Sequence, residues 1–174
     1  MEETVSAFVT VKNGKLRGVT LPSGVRVFKG IPFAQPPVGD LRFRRPQPPL
    51  DWEGERDATN FGGTCPQEQV TGFYDEEFYK TVKIPKGTED CLYLNVWCPP
   101  EQADHPDVKY PVLVWIHGGA YFLGFSWEEA MDTEEYAKRG IVYVTIEYRL
   151  NIFGFLTHPI LEEDGVNSGN YGIF

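Results

Sequence analysis

Tyr110-Pro-Val-Leu-Val-Trp-Ile-His-Gly-Gly-Ala120 is an apolar run that stops on a histidine and two glycines. Val112–Ile116 offers water no polar side chain on either face. That predicts a strand buried on both sides, the pattern of a parallel sheet covered by helices. A second run of this kind follows at Ile141–Tyr148, Ile-Val-Tyr-Val-Thr-Ile-Glu-Tyr. Between them, Asp132-Thr-Glu-Glu-Tyr-Ala-Lys-Arg-Gly140 reads as a helix. Asp132 suits the N-cap, Glu135 completes a capping box, Lys138 and Arg139 suit the negative C-terminus, and Gly140 suits the left-handed residue beyond it. Strand, helix, strand at this spacing is a crossover unit, so the class is α/β.

Toward the N-terminus, Leu92–Trp97 alternates and is β-prone. Further back, Val5–Val11 and Lys15–Thr20 read as strands joined by Asn13-Gly14, the favoured pair for a type I′ hairpin. A Pro-Ser-Gly turn at 22–24 leads to a third strand, Val25–Phe28. These three predict a small antiparallel meander in a sheet of its own, apart from the later strands. Pro32, Pro36, Pro37, Pro46, Pro48 and Pro49 make residues 32–52 an extended surface wrap, because proline forbids helix and central strand alike. Residues 65–86 read as a loop.

Composition narrows the function. The chain has 174 residues, 41% hydrophobic and 14% aromatic, enough for a core and too apolar for disorder. No 18-residue apolar run is present, which argues against a membrane span. A net charge of −9 with no long basic run excludes nucleic acid and anionic membrane surfaces as expected partners. Met1-Glu-Glu-Thr carries no signal-peptide pattern, so the expected location is cytoplasmic. Cys65, Cys91 and Cys98 have no zinc spacing, and neither a metal nor an organic cofactor is expected. They could include one disulfide pair or stand as reduced thiols.

The chemistry lies in His117-Gly118-Gly119-Ala120. Two glycines after a strand let the backbone turn sharply and present successive N–H groups with no side chain in the way. Bare N–H groups of this kind can stabilise the oxyanion of an acyl transfer. Four further stretches point the same way: Phe28-Lys-Gly-Ile-Pro-Phe-Ala-Gln-Pro-Pro-Val-Gly-Asp-Leu-Arg-Phe43, Glu89-Asp-Cys-Leu-Tyr-Leu-Asn-Val-Trp97, Val144-Thr-Ile-Glu-Tyr-Arg-Leu150 with Gly154-Phe-Leu156, and Gly169-Asn-Tyr-Gly172. With Val114–Ala120 they occur in the order found in type B carboxylesterases, and the chain resembles that family along nearly its whole length.

The resemblance implies an α/β-hydrolase fold, with residues 1–174 as the N-terminal part of a single domain. It implies hydrolysis of small carboxylic esters through a serine acyl-enzyme. Gly118, Gly119 and Ala120 would form the oxyanion-hole turn, with Gly119 and Ala120 as donors and His117 shaping the turn. It implies a disulfide between Cys65 and Cys91, which in the chain-entropy model is worth on the order of 3 kcal/mol. It also implies an ion pair between Arg42 and Glu89 at the base of the loop so closed. Cholinesterases carry a choline-stacking tryptophan in that loop; here it holds Phe73, Tyr74, Phe78 and Tyr79 but no Trp, which favours a general esterase.

The triad does not match. The family's nucleophile sits in a Gly-x-Ser-x-Gly elbow, and Ser6, Ser23, Ser126 and Ser168 all lie outside such a context. His105 and His158 sit in proline-containing loops and read as surface residues. No triad member is therefore expected within these residues, and the chain alone is expected to be inactive, associating through an uncovered apolar edge such as Ile141–Tyr148. Two other readings stay open: a non-catalytic binding module on the same fold, like the neuroligins, or a non-functional truncated fragment.

Overall fold

The computed structural model describes residues 5–67, 85–100, 107–128, 131–162 and 169–173. Its strands are β1 (Val5–Val11), β2 (Gly14–Thr20), β3 (Arg26–Pro32), β4 (Glu55–Asp57), β5 (Tyr93–Cys98), β6 (Val112–Ile116) and β7 (Val142–Ile146). They form one mixed sheet in the order β1-β2-β3-β5-β7-β6, with β4 pairing β2 off this path. Most neighbours are antiparallel; β6 and β7 are parallel, as are β2 and β4.

The meander is not a separate sheet. β3 runs on past Phe28 to Pro32 and pairs with β5, from Arg26↔Cys98 to Pro32↔Tyr93, across an irregularity between Phe28 and Ile31. Gly30 sits in that irregularity at φ 65 and donates its N–H to Asn95 Oδ1 at 2.9 Å. A glycine and a proline look like breakers in sequence; here one absorbs the bulge and the other closes the strand end, where no ladder donor is missed.

The β1–β2 hairpin closes with Val11 opposite Gly14, leaving Lys12 and Asn13 in the loop. Neither takes the positive φ that a type I′ turn requires at both central residues, so the turn is not of that type; Gly14, the first residue of β2, stands at φ 147. Trp52 explains the glycine. A Cβ on Gly14 would lie 2.5 Å from the Trp52 indole nitrogen, which donates to the Lys15 carbonyl at 2.9 Å. The proline-rich wrap thus ends by docking its tryptophan on the hairpin. Leu16 and Phe28 are buried beneath, with Ala7 and Ala58.

A second core joins the two halves of the sheet. Val25, Val27, Trp97, Ala137 and Tyr143 pack together, with the Trp97 and Tyr143 rings 5.4 Å apart. The crossover between β6 and β7 contributes Ala137, and it differs from the predicted helix. Among the described residues of the crossover only Ala137–Arg139 is helical, a single 3-10 turn closed by Gly140 at φ 78. Asp132, the expected N-cap, has a tertiary partner instead, and so has the neighbouring Glu134. Asp132 pairs with Lys29 on β3 at 3.1 Å, and Glu134 accepts from Ser23. Lys138 holds Glu134 at 2.5 Å and Glu135 at 3.0 Å.

β6 also departs from expectation. All five residues are exposed, Val112 at 62% and Ile116 at 61%. β7 is its ladder partner on one side, and no described strand pairs with its other edge. β7 alternates as a half-buried strand does, with Tyr143 and Thr145 fully inside. The open apolar edge of the sheet is therefore β6, not Ile141–Tyr148. Beyond β7 lies a short helix, α1 (Asn151–Phe155).

Candidate active site

β6 delivers the chain to His117, which is buried and stacked on Tyr148 with ring centroids 4.4 Å apart. The Tyr148 hydroxyl donates to the His117 carbonyl at 3.0 Å. The His117 Nδ1 lies 2.9 Å from the Gly118 carbonyl oxygen. That oxygen can only accept, so Nδ1 carries the proton. Burial pushes the ring's pKa below its ordinary value, against the smaller opposing pull of the Gly118 carbonyl, so the ring is neutral. Nε2 is then a bare lone pair, buried and without a partner among the described residues. This tautomer has a backbone consequence. The Gly118 carbonyl and the Gly119 N–H share one planar peptide unit and point in opposite directions. A hydrogen bond on the first fixes the aim of the second.

Past that peptide the backbone turns through left-handed angles: Gly119 at φ 112, Ala120 at φ 52 and Tyr121 at φ 66. Gly119 is obligatory, since a Cβ there would lie 1.9 Å from the Leu123 carbonyl oxygen. Gly118 is not: a Cβ there would meet nothing within 4 Å, so of the two glycines only the second is demanded by space. Ala120 and Tyr121 hold an angle that non-glycine residues avoid, and such strain concentrates at functional sites. The turn closes on itself, with Phe122 and Leu123 donating to the Gly119 carbonyl at 3.0 and 3.2 Å. Among the described residues nothing accepts from the N–H of Gly118, Gly119 or Ala120. Gly118 and Ala120 border a cavity of about 560 Å³, with Ile116, His117, Tyr121, Ile146, Tyr148, Gly172 and Ile173 as its other walls. That is the size of a small-molecule site. Free N–H donors beside such a space can receive an oxygen that gains negative charge.

Cys65 and Cys91 are joined by a disulfide with their Cα atoms 5.0 Å apart, and both are fully buried. Arg42 and Glu89 form a two-pronged ion pair, Nη2 to Oε1 at 2.6 Å and Nε to Oε2. The pair lines the same small void as Pro66, Cys91 and Arg149. Cys98 is a free thiol at the end of β5, and burial raises its pKa.

Ser126 is fully buried; its Oγ accepts from Asn95 Nδ2 at 3.1 Å, and its N–H donates to Glu147 Oε1 at 2.6 Å. It is closed to a substrate. Asn95 also donates to Thr145 at 3.0 Å. The Glu147 carboxyl inside this network is pushed up to about 7 by burial, more than its Ser126 contacts pull it down. His158 lies on the surface, accepting from the Ile160 N–H at 3.2 Å. His105, Ser168 and the aromatics Phe73, Tyr74, Phe78 and Tyr79 fall outside the described residues.

Sequence reasoning missed three residues that hold the site. Tyr148 stacks on His117. Arg149, buried, donates to the carbonyls of Tyr171 at 3.0 Å and Arg44 at 2.8 Å, fastening the Gly169–Gly172 motif to the proline-rich wrap. Gln67 bonds to Gly124 at the far end of the turn. Tyr148 and Arg149 fall within a motif quoted for its family likeness, but the roles of all three depend on contacts distant in sequence.

The mixed sheet thus carries a strained glycine turn at the end of a strand, beside a cavity of small-molecule size. Residues 5–174 match the sequence profile of the Carboxylesterase family, and the chain belongs to that family. It is 45% identical over 149 residues to the para-nitrobenzyl esterase of Bacillus subtilis, covering 85% of this chain and 28% of that protein. It is 39% identical over 164 residues to the fumonisin B1 esterase of Sphingopyxis macrogoltabida, covering 93% and 28%. A solved para-nitrobenzyl esterase superposes with a TM-score of 0.80 at 40% identity, over 97% of this chain and 32% of that one. A carboxylesterase of Geobacillus stearothermophilus does so at 0.78 and 40%, over 95% and 32%. The chain thus spans under a third of the length of these relatives. Among the described residues no helix is long and apolar enough to cross a membrane.

Proposed function

We propose that this chain carries the oxyanion-hole part of a serine carboxylesterase, with the Gly119 and Ala120 N–H groups as donors and a small carboxylic ester as substrate. The observation that carries the reading is the Gly118–Gly119 peptide. Its carbonyl is engaged by His117 at 2.9 Å, so the Gly119 N–H is turned away from that bond, and no described group accepts from it. As a nucleophile attacks the ester carbonyl, the oxygen gains charge, and donors already in place stabilise that charge without rearranging. Each donor of this kind is worth about 3 kcal/mol in the transition state. Ser126 is buried, so the acyl-enzyme serine and its acid and base are assigned to the portion of the relatives that this chain does not span.

A chimaera tests the assignment. Residues 1–174 replace the matched segment of the Bacillus subtilis para-nitrobenzyl esterase, and hydrolysis of p-nitrophenyl acetate is followed. A burst and turnover abolished by a serine-directed organophosphate are expected. A folded chimaera that does not react with the ester overturns the reading. The 174-residue chain alone is expected to match a heat-treated control; organophosphate-sensitive turnover by it would place the nucleophile among these residues.

A further inference from the structure

We propose that Gln67 is a positioning residue for the glycine turn: its amide pins Gly124, and Gly124 fixes where the Gly118–Gly119 peptide lies. Its bearing on catalysis depends on Gly119 and Ala120 being the donors proposed above; the brace itself does not.

Gln67 Nε2 donates to the Gly124 carbonyl at 2.8 Å, and the Gly124 N–H donates back to Gln67 Oε1 at 2.9 Å. One side-chain amide thus satisfies both backbone groups of Gly124, as a neighbouring strand would. The same Nε2 donates to the Cys65 carbonyl at 3.2 Å, which ties the amide to the disulfide. Only one orientation of the amide serves all three bonds, because two partners accept and one donates.

Gly124 stands at φ 106, directly behind the turn. A Cβ on it would lie 2.4 Å from His117 Nδ1 and 2.6 Å from the Gly118 carbonyl oxygen. The hydrogen bond that aims the Gly119 N–H is therefore packed against the Gly124 backbone. Displacing Gly124 toward the turn drives it into that bond; letting it drift away removes the wall behind it. A second tie runs in parallel. Asn151 Nδ2 donates to the Pro66 carbonyl at 2.6 Å, and the Asn151 N–H donates to the Tyr121 carbonyl at 2.7 Å. Residues 65–67 are thus connected to the turn at both Tyr121 and Gly124. The Cys65–Cys91 bridge, read from sequence as a loop staple, anchors the brace that holds the donors.

The test uses the 174-residue chain labelled with 15N. Amide resonances and hydrogen exchange of Gly118, Gly119, Ala120 and Gly124 are compared in the parent, Gln67→Leu, Gln67→Glu and Leu16→Ala. Leu16→Ala is the control, a core change remote from the turn. Gln67→Leu removes all three bonds, and exchange at Gly124 is expected to quicken by roughly tenfold or more. The Gly119 and Ala120 resonances are expected to move with it. Gln67→Glu retains an acceptor for the Gly124 N–H but no donor, and is expected to show the same movement to a smaller degree. If Gln67→Leu fails to fold, Gln67→Glu decides alone. Gly119 and Ala120 resonances unmoved in the folded Gln67 variants overturn the proposal. So does equal movement in Leu16→Ala at the same loss of Tm. A silent chimaera with these shifts intact would sink the donor reading and leave the brace standing; the reverse outcome would sink only the brace.

Discussion

β2 and β6 belong to the same sheet and have nearly opposite surroundings. β2 has partners on both sides, and its Leu16 is fully buried under the hairpin that Trp52 seals. β6 is the more apolar of the two in sequence, yet all five of its residues are exposed. Hydrophobicity alone thus says that a strand wants cover, not where the cover comes from. The first region is closed by elements near it in sequence and carries stability. The second ends in the site, and its strained turn is held from behind by Tyr148, Gln67 and Asn151 rather than by a core.

The sharpest way to break this contrast is Leu16→Ala. Truncating a fully buried leucine costs about 2–5 kcal/mol, to be read as a lowered midpoint in urea. A loss under 1 kcal/mol would mean that the hairpin is not the stable half. Glu147 tests the boundary between the halves. Its carboxyl is raised from 4.5 to about 7 in the folded chain, so the folded state holds its proton more tightly. The stabilisation is complete below pH 4.5 and is lost as pH rises to about 7. At about 1.4 kcal/mol per unit it amounts to roughly 3 kcal/mol. Glu147→Gln should flatten stability across that window; an unchanged slope would place the titration elsewhere.

A smaller effect is expected at the open edge. Val114 is 50% exposed, so Val114→Lys should change stability by about 0.5 kcal/mol or less. It should nevertheless shift sedimentation toward smaller species, because a charge on an uncovered strand opposes edge pairing. An unaltered distribution would show that β6 is not where the chain associates. The last prediction concerns Cys65–Cys91. A disulfide persists in oxidising surroundings, which pulls against the cytoplasmic location expected from sequence. Protein unfolded in an alkylating agent at lysis should gain one alkyl group, on Cys98; three would mean the bridge is open in the cell.

All the strands but β4, and the turn, were legible because they depend on local pattern: a hairpin signal between β1 and β2, alternation in β5, an unbroken apolar run in β6, and glycine where φ 112 is required. The join between β3 and β5 was not, since it is set by partners far apart in sequence and passes through a glycine and a proline that read as breaks. The helix expected at 132–140 failed for the same kind of reason. Asp132 and Glu134 are sound capping and first-turn residues, but Lys29 and Ser23, more than a hundred residues earlier, hold them elsewhere. At the site, the glycines could be found from the sequence. Gln67 could not, because a lone glutamine in an aperiodic loop carries no signal until Gly124 is beside it.

The pairing of Val27 with Trp97 also bears on how the chain is made. The β1–β2 hairpin is complete once Thr20 has emerged and can close within about 1–10 μs. β3 has β2 beside it at once, but its other edge has no partner until β5 is synthesised, some seventy residues later. At about 5–20 residues per second that wait lasts roughly 4–14 s. Through it Val27 and Phe28 lie on a strand with an open edge, and a second nascent chain nearby can supply the missing ladder before the chain's own β5 arrives.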